Sequence, residues 1–239
     1  MIIAANFKAN LTRYQTHEYF SALEHFIHDN AMSQEVLVFP SASSLYPHTG
    51  KAVMGAQNAY PAKNGAFTGE IATEQLDEFN IQTILIGHSE RRHVLGETQE
   101  FIAQKFEFYK NLGYKIIYCI GEPLHVRQSG EEKMLDYLNA QLEGIDMSYD
   151  NFIIAYEPVW AIGTGLTPTL EEIEKLHTIL SLTCKTSILY GGSVKAENAK
   201  EILSLKNVDG ILVGSGALNV NDFCSMISDA QDLSKSNKI

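Results

Sequence analysis

The sequence predicts an α/β fold, a single (β/α)8 barrel built from residues 1–239 as one domain. Three observations predict it. Short apolar runs rich in Ile, Val, Tyr and Phe recur along the chain, with amphipathic segments between them. The runs start near residues 1, 35, 51, 83, 115, 152, 187 and 210, a loose period of roughly 30 residues that suits one strand and its crossover helix. No linker-like or charge-biased stretch divides the chain, so the eight units belong together.

The predicted strands are Met1–Ala5, Val36–Phe39, Ala52–Ala56, Thr83–Ile86, Lys115–Ile120, Phe152–Tyr156, Ser187–Tyr190 and Gly210–Val213. They alternate little between apolar and polar residues, the pattern of strands buried on both faces of a parallel sheet. After the first strand, Thr16–His28 sets Tyr19, Phe20, Leu23, Phe26 and Ile27 on one helical face. Thr98–Leu112 does the same with Phe101, Ile102, Phe106, Tyr109 and Leu112, and stops at Gly113, a residue suited to a helix C-terminus. Leu170–Leu182 and Asn221–Leu233 have the same character. Pro40 to Gly50 leaves about a dozen residues between the second and third strands, near the minimum for a crossover. The second helical unit is therefore expected to be short, and the fifth also reads as shortened. A doubly wound sheet usually carries a glycine-rich turn after its first strand; here that turn is Asn6-Phe7-Lys8-Ala9-Asn10.

With 239 residues, 45% of them hydrophobic, the chain is long enough to bury a large core. Its formal charge of −11, from 18 basic and 29 acidic residues, disfavours nucleic acid as a partner. It does not exclude a small anion, because screening acts over roughly 8 Å. A single Lys about 4 Å from a charge contributes on the order of 4 kcal/mol at an effective dielectric of 20. Cys119, Cys184 and Cys224 are far apart, odd in number and without a CxxC pair, as expected of free thiols in a reducing compartment. The Met1–Ala5 run is too short for a signal peptide, and no stretch approaches 18 apolar residues. The expectation is a soluble cytoplasmic protein with no membrane partner. His17, His25 and His28 lie on a helix expected in the outer ring, and no HExxH occurs. No metal and no cofactor is expected. Asn10-Leu11-Thr12 fits a glycosylation pattern by accident.

In barrels of this kind chemistry sits at the C-terminal ends of the strands. Those positions hold Asn6 and Lys8 after the first strand, His88-Ser89-Glu90-Arg91 after the fourth and Glu157-Pro158 after the sixth. Gly191-Gly192-Ser193 follows the seventh strand and Gly214-Ser215-Gly216 the eighth. Singly, each has an ordinary reading: a strand-end Glu is commonly solvated or salt-bridged, a lone His structural, and a Gly pair a turn. Arg91 and Arg92 read as ion-pair partners, for Glu97 or Glu70. Together on one rim they form a cation, an imidazole, a carboxylate and two anion cradles, a set suited to abstracting a proton beside a carbonyl on a phosphorylated molecule. Glu157 is the expected base and His88 the donor to the developing oxyanion, with Lys8 and Asn6 assisting. Phosphate is expected on backbone N–H groups of the last two loops and near Gly163. The apolar run Pro158-Val159-Trp160-Ala161-Ile162-Gly163-Thr164-Gly165, flanked by Pro and Gly, reads as a flap excluding water. Another phosphosugar barrel enzyme, or a catalytically silent phosphate-binding barrel, remains an alternative at this point.

Six stretches carry a family resemblance: Asn6–Asn10, Gly65–Glu70, Ile86–Arg92, Cys119–Glu122, Ala155–Gly165 and Tyr190–Val194. In this order, and over almost the whole chain, they resemble the motifs of the triosephosphate isomerase family. The resemblance implies a TIM barrel that interconverts D-glyceraldehyde 3-phosphate and dihydroxyacetone phosphate through an ene-diolate, without metal or cofactor. It implies Glu157 as base, His88 as neutral electrophile, Asn6 and Lys8 as the substrate-binding pair, and Glu90 as the carboxylate partnering Lys8. Gly163, Ser193, Gly214 and Ser215 match phosphate-binding positions, and residues Pro158 to Thr164 match the lid. It further implies a homodimer in which the Gly65–Glu70 loop carries Thr68 towards the neighbour's Asn6 and Lys8. Two departures bear on the site. Gly214-Ser215-Gly216-Ala217 stands where the family usually has Gly-Gly followed by Ala-Ser, and the Cβ of Ser215 restricts φ. Pro168 aligns with a residue whose N–H meets the tyrosine matching Tyr190, and proline has no N–H, which leaves Ser193 to Gly165 as the expected closing contact.

Overall fold

The computed structural model describes residues 1–162 and 167–236. Its strands are β1 (Ile2–Asn6), β2 (Glu35–Phe39), β3 (Val53–Met54), β4 (Thr83–Ile86), β5 (Lys115–Ile120), β6 (Phe152–Tyr156), β7 (Ser187–Tyr190) and β8 (Gly210–Val213). All pairings are parallel, in the order β3-β2-β1-β8-β7-β6-β5-β4. The two end strands meet through one parallel bridge between Ala56 and Ile84. There Ala56 donates its N–H to the Thr83 carbonyl at 2.9 Å and accepts the Leu85 N–H at 2.9 Å. That seam brings the eight parallel strands round into a nearly closed (β/α)8 barrel, the predicted class.

The strand side chains divide into two layers. Ala4, Leu37, Leu85, Ile117, Cys119, Ile153, Ala155, Leu189 and Leu212 pack together inside the barrel. Their sequence neighbours, such as Ile3, Val38, Ile116, Tyr118, Ile154 and Ile211, pack outward beneath the helices. Both faces are apolar, so the runs show no alternation even though the side chains alternate in space.

The helices are α1 (Arg13–Asp29), α2 (Thr73–Glu78), α3 (Ser89–His93), α4 (Gln99–Asn111), α5 (Leu124–Gln128), α6 (Glu131–Ala140), α7 (Leu170–Thr183), α8 (Ala196–Leu203) and α9 (Val220–Ser236). The first starts three residues earlier than its apolar face suggests, because Thr12 caps it. The Thr12 hydroxyl accepts the Gln15 N–H at 3.3 Å, and the Gln15 side chain accepts the Thr12 N–H at 2.9 Å, a reciprocal box that satisfies two orphan donors. The threonine of the accidental glycosylation pattern is thus a helix start. The second unit keeps only a 3₁₀ turn, Ala42–Ser44. In the fifth, the helix is split into pieces of five and ten residues, parted at Gly130, whose φ of 104° suits glycine. Helix α4 ends at Asn111, and Gly113 beyond it takes a φ of 78° as expected.

Helix α7 presents Ile173, Leu176, His177 and Leu180 to the sheet. His177 is fully buried, between the rings of Tyr156 and Tyr190 at 6.1 and 6.2 Å. Its Nδ1 lies 3.0 Å from the Asn207 carbonyl, which only accepts, so Nδ1 carries the proton. Its Nε2 is buried without a hydrogen-bond partner among the described residues. Burial, resisted by Asn207, pushes its pKa down to about 4. An unfolded His titrates near its ordinary value of about 6.5, so between these values the unfolded chain binds the extra proton, and stability falls as pH drops through that window. From pH 7 to pH 5 this one group is expected to cost about 2 kcal/mol. Urea unfolding at the two pH values should therefore show a smaller loss in His177→Gln than in the wild type. Equal losses would mean that His177 takes up its proton while the chain is folded.

Candidate active site

The predicted strand-end residues converge. Asn6, Lys8, His88, Glu157, Ser193, Gly214 and Ser215 all line one cavity of about 290 Å3 at the C-terminal mouth of the barrel. A larger cavity, about 740 Å3, opens by Lys115, Phe152 and Ser187 at the opposite strand ends and contains none of them.

Asn6 ends β1, and its Oδ1 accepts the Lys8 N–H at 3.0 Å. Between them the chain bends back so sharply that Lys8 takes a φ of 51°, which for a residue with a Cβ costs about 1–2 kcal/mol. Such strain persists where neighbours fix it. Here Gln57 does so, donating from Nε2 to the carbonyls of Lys8 and Phe39, both at 2.9 Å. The Lys8 ammonium then reaches Glu90 Oε1 at 3.0 Å.

His88 stands just before α3, and its Nδ1 accepts the Glu90 N–H at 3.2 Å. That bond uses the Nδ1 lone pair, so the neutral ring carries its proton on Nε2. Nε2 lies 3.2 Å from Glu157 Oε1. Among the described residues neither Nε2 nor Glu157 Oε2 has an aligned hydrogen bond, although both are buried. Burial works to lower the His88 pKa, whereas the carboxylate of Glu157 raises it, and with the two side chains face to face the rise prevails. A proton on Glu157 would remove that influence, and burial and the N–H on Nδ1 would then favour the uncharged imidazole against the remaining pull of the Glu90 carboxylate.

Glu157 follows β6 and is buried. Burial alone would raise its pKa, but His88, Lys8 and a hydrogen bond from the Cys119 thiol hold it below the ordinary carboxylate value. The side chain fits because its neighbours lack Cβ atoms. A Cβ at Gly121 would fall 1.8 Å from the Glu157 carbonyl oxygen, and one at Gly191 would fall 2.7 Å from its Cγ. Burial and the adjacent carboxylate push the Cys119 thiol well above its usual range, so this cysteine is a hydrogen-bond donor and a poor nucleophile.

Some contributors to the mouth were not assigned from the sequence. Gln57 carried no signal beyond polarity. Glu122 did, being a carboxylate at the end of β5. It is fully buried, and its Oε1 accepts Tyr156 Oη at 3.1 Å and Trp160 Nε1 at 3.0 Å. Arg91 pairs with Glu97 at 2.6 Å, as its ordinary reading expected.

Of the flap residues, Val159–Ala161 form a 3₁₀ turn and Ile162 lines the cavity. Gly163 and Thr164 lie outside the described residues, as does the expected Ser193 to Gly165 contact. Among the described residues, Ser193 donates its hydroxyl to the Ala161 carbonyl. The Tyr190 hydroxyl is buried without a partner among the described residues. Ser215 opens the 3₁₀ turn Ser215–Ala217 without a positive φ, so its Cβ is accommodated. The close approach falls one residue later, where a Cβ on Gly216 would come 2.4 Å from the Val194 carbonyl. Thr68 lies exposed in its loop and does not line its own chain's cavity. Among the described residues, no group of three or more His, Cys, Asp or Glu side chains is placed to hold a metal ion.

Chemically, the mouth brings a carboxylate, an imidazole, an ammonium group and the glycine-rich loops after β7 and β8 around one small cavity. Residues 1–230 match the model of the family described as triosephosphate isomerase. A triosephosphate isomerase of Sulfurimonas denitrificans is 60% identical over 238 residues, covering 100% of this chain and 99% of the relative. Those of Wolinella succinogenes and a Sulfurovum species are 52% and 53% identical, each covering 95% of this chain and 99% of the relative. By a match that takes in every strand and the whole cavity mouth, the chain belongs to the triosephosphate isomerase family.

Proposed function

We propose that this chain is an aldose–ketose isomerase that interconverts D-glyceraldehyde 3-phosphate and dihydroxyacetone phosphate. The observation that carries the reading is the buried pair His88 and Glu157, Nε2 facing Oε1 at 3.2 Å, with both residues lining one cavity. Glu157 removes a proton from the carbon beside the carbonyl, and the electron pair of that C–H bond moves into an ene-diolate. His88 gives its Nε2 proton to the former carbonyl oxygen and takes the hydroxyl proton of the neighbouring oxygen, so the ring ends as it began, and Lys8 and Asn6 bind beside it. Glu157 then returns the proton to the neighbouring carbon, which completes the isomerisation without net redox change. A positioned base of this kind contributes about 10²–10⁴-fold, and one lost oxyanion donor costs about 3–4 kcal/mol. Glu90 holds Lys8 in place. The phosphate rests on backbone N–H groups around Ser193, Gly214 and Ser215, with Gly163 completing the cradle. Residues Pro158 to Thr164 act as the lid, keeping water from an intermediate that could expel its phosphate.

The working unit is a homodimer of single-domain barrels, residues 1–239 each. A recess of about 300 Å3 walled by Asn6, Lys8, Gln57, Glu70, Glu90 and Leu95 lies beside the cavity, and Val94 and Leu95 at its edge are 76% and 63% exposed. A neighbour's Thr68 loop would cover both apolar side chains and brace Asn6 and Lys8. The compartment is the cytoplasm, in line with three buried free cysteines and with no described helix long and apolar enough to cross a membrane.

An assay coupling dihydroxyacetone phosphate formation to a dehydrogenase tests the activity. Glu157→Gln should lower kcat by at least 10³-fold, on the order expected for a lost base, while KM changes little. A large rise in KM at unchanged kcat would show that Glu157 binds substrate and does not act on it. Thr68→Arg should halve the sedimenting mass and lower activity. An unchanged sedimentation profile would remove the loop from the interface.

A further inference from the structure

We infer that Arg127 is a positioning residue that ties the two flanks of the lid segment to each other, one arm on the Trp160 side and one on the Thr169 side. The inference rests on the isomerase reading above. Arg127 projects from α5, between the site and the outer helices. Its guanidinium carbon lies over the Trp160 ring, 5.9 Å from the ring centre, within the range of cation–π attraction. Its NH1 is 4.0 Å from Glu122 Oε1, the same oxygen that accepts the Trp160 indole N–H at 3.0 Å. Trp160 belongs to the turn that directly follows Glu157 and Pro158.

The other arm turns away from the barrel. Arg127 NH2 donates to Glu172 Oε1 at 2.8 Å. The second oxygen of Glu172 accepts the Thr169 N–H at 2.9 Å and the Thr169 hydroxyl at 3.2 Å. Thr169 follows Pro168 and caps α7. One side chain therefore links residue 160, before the segment, with residue 169 after it. The stem is itself anchored, since NH1 also donates to the Met134 sulfur at 2.9 Å.

Two features separate this role from simple stabilisation. Glu172 is 45% exposed, and an ion pair so wet adds little to folding stability. The linkage also needs a planar fork with donors pointing two ways, which a lysine ammonium lacks. The consequence lies in how often the two flanks adopt the arrangement in which Ser193 meets Ala161 and Ile162 walls the cavity. Without the tie, Glu157 and His88 keep their places while the wall beside them loosens.

The test uses Arg127→Met, Arg127→Lys, Glu172→Gln and the double variant Arg127→Met/Glu172→Gln in the coupled isomerase assay, with urea unfolding in parallel. Trp160 is the only tryptophan, so its emission and its quenching by acrylamide report one flank directly. The expected result is a kcat at least tenfold lower in both Arg127 variants, no rescue by lysine, and a double variant no slower than Arg127→Met alone. Acrylamide quenching of Trp160 should rise in both Arg127 variants while the urea midpoint stays near that of the wild type. Wild-type kcat in Arg127→Met, full rescue by lysine, additive losses in the double variant, or unchanged quenching would each overturn the tie. So would a loss of activity that tracks the urea midpoint. A wild-type protein without turnover would sink the isomerase reading instead, and the quenching comparison would still decide whether Arg127 holds the Trp160 flank.

Discussion

A bare carboxylate in a dry cavity takes up a proton unless its surroundings favour the charge, and the rest of this barrel mouth is arranged around that constraint. Glu157 is buried to within a few per cent of its surface, and burial is the largest single influence on its titration. It is outweighed by three neighbours supplied by separate strands: His88 after β4, Lys8 after β1 and the Cys119 thiol within β5. None of the three forms an exposed salt bridge with it, the kind of contact that water would weaken. His88 faces it at 3.2 Å in a buried setting, where water screens the contact little. The carboxylate is thereby held in its charged form although it is buried.

Keeping the neighbours in place makes its own demands. Lys8 adopts a backbone conformation it would otherwise avoid, and Gln57 ties that bend to the end of β2 through the Phe39 carbonyl. His88 is oriented through Nδ1 by a backbone N–H, so its tautomer is a property of the turn that starts α3. Glu122 performs a related task on the other side, gathering the Tyr156 hydroxyl and the Trp160 indole onto one buried oxygen. Arg127 extends that arrangement outward to the cap of α7. These contacts link side chains from separate strand ends, and most of them touch Glu157 only through another residue.

The barrel supplies the rigidity that such links require. Eight parallel strands present their C-terminal ends at one rim, so residues from distant parts of the sequence meet without long loops. The seam at Ala56 is the thinnest part of the sheet, one bridge beside a two-residue strand. The seam lies next to Gln57, so the residue that supports Lys8 sits immediately after the bridge that closes the ring.

Much of this was legible in the chain alone. Local patterning marks all eight strands because burial on both faces demands uninterrupted apolar runs, and the spacing of those runs requires crossovers of similar size. Asn6, Lys8, His88 and Glu157 stood out as polar residues directly after apolar runs, where a buried strand gives no reason for them. Other features depend on contacts between residues far apart in sequence, which no local pattern encodes. That Cys119 donates to Glu157, that Gly191 leaves room for its Cγ, that Gln57 fixes the Lys8 bend and that Arg127 reaches both Trp160 and Glu172 are outcomes of packing. Sequence determined which groups come to the rim, since strand ends are a local property. Tertiary structure alone decided their charge states and orientations, because those follow from distances of about 3 Å between side chains of different strands, where a small displacement changes the electrostatics.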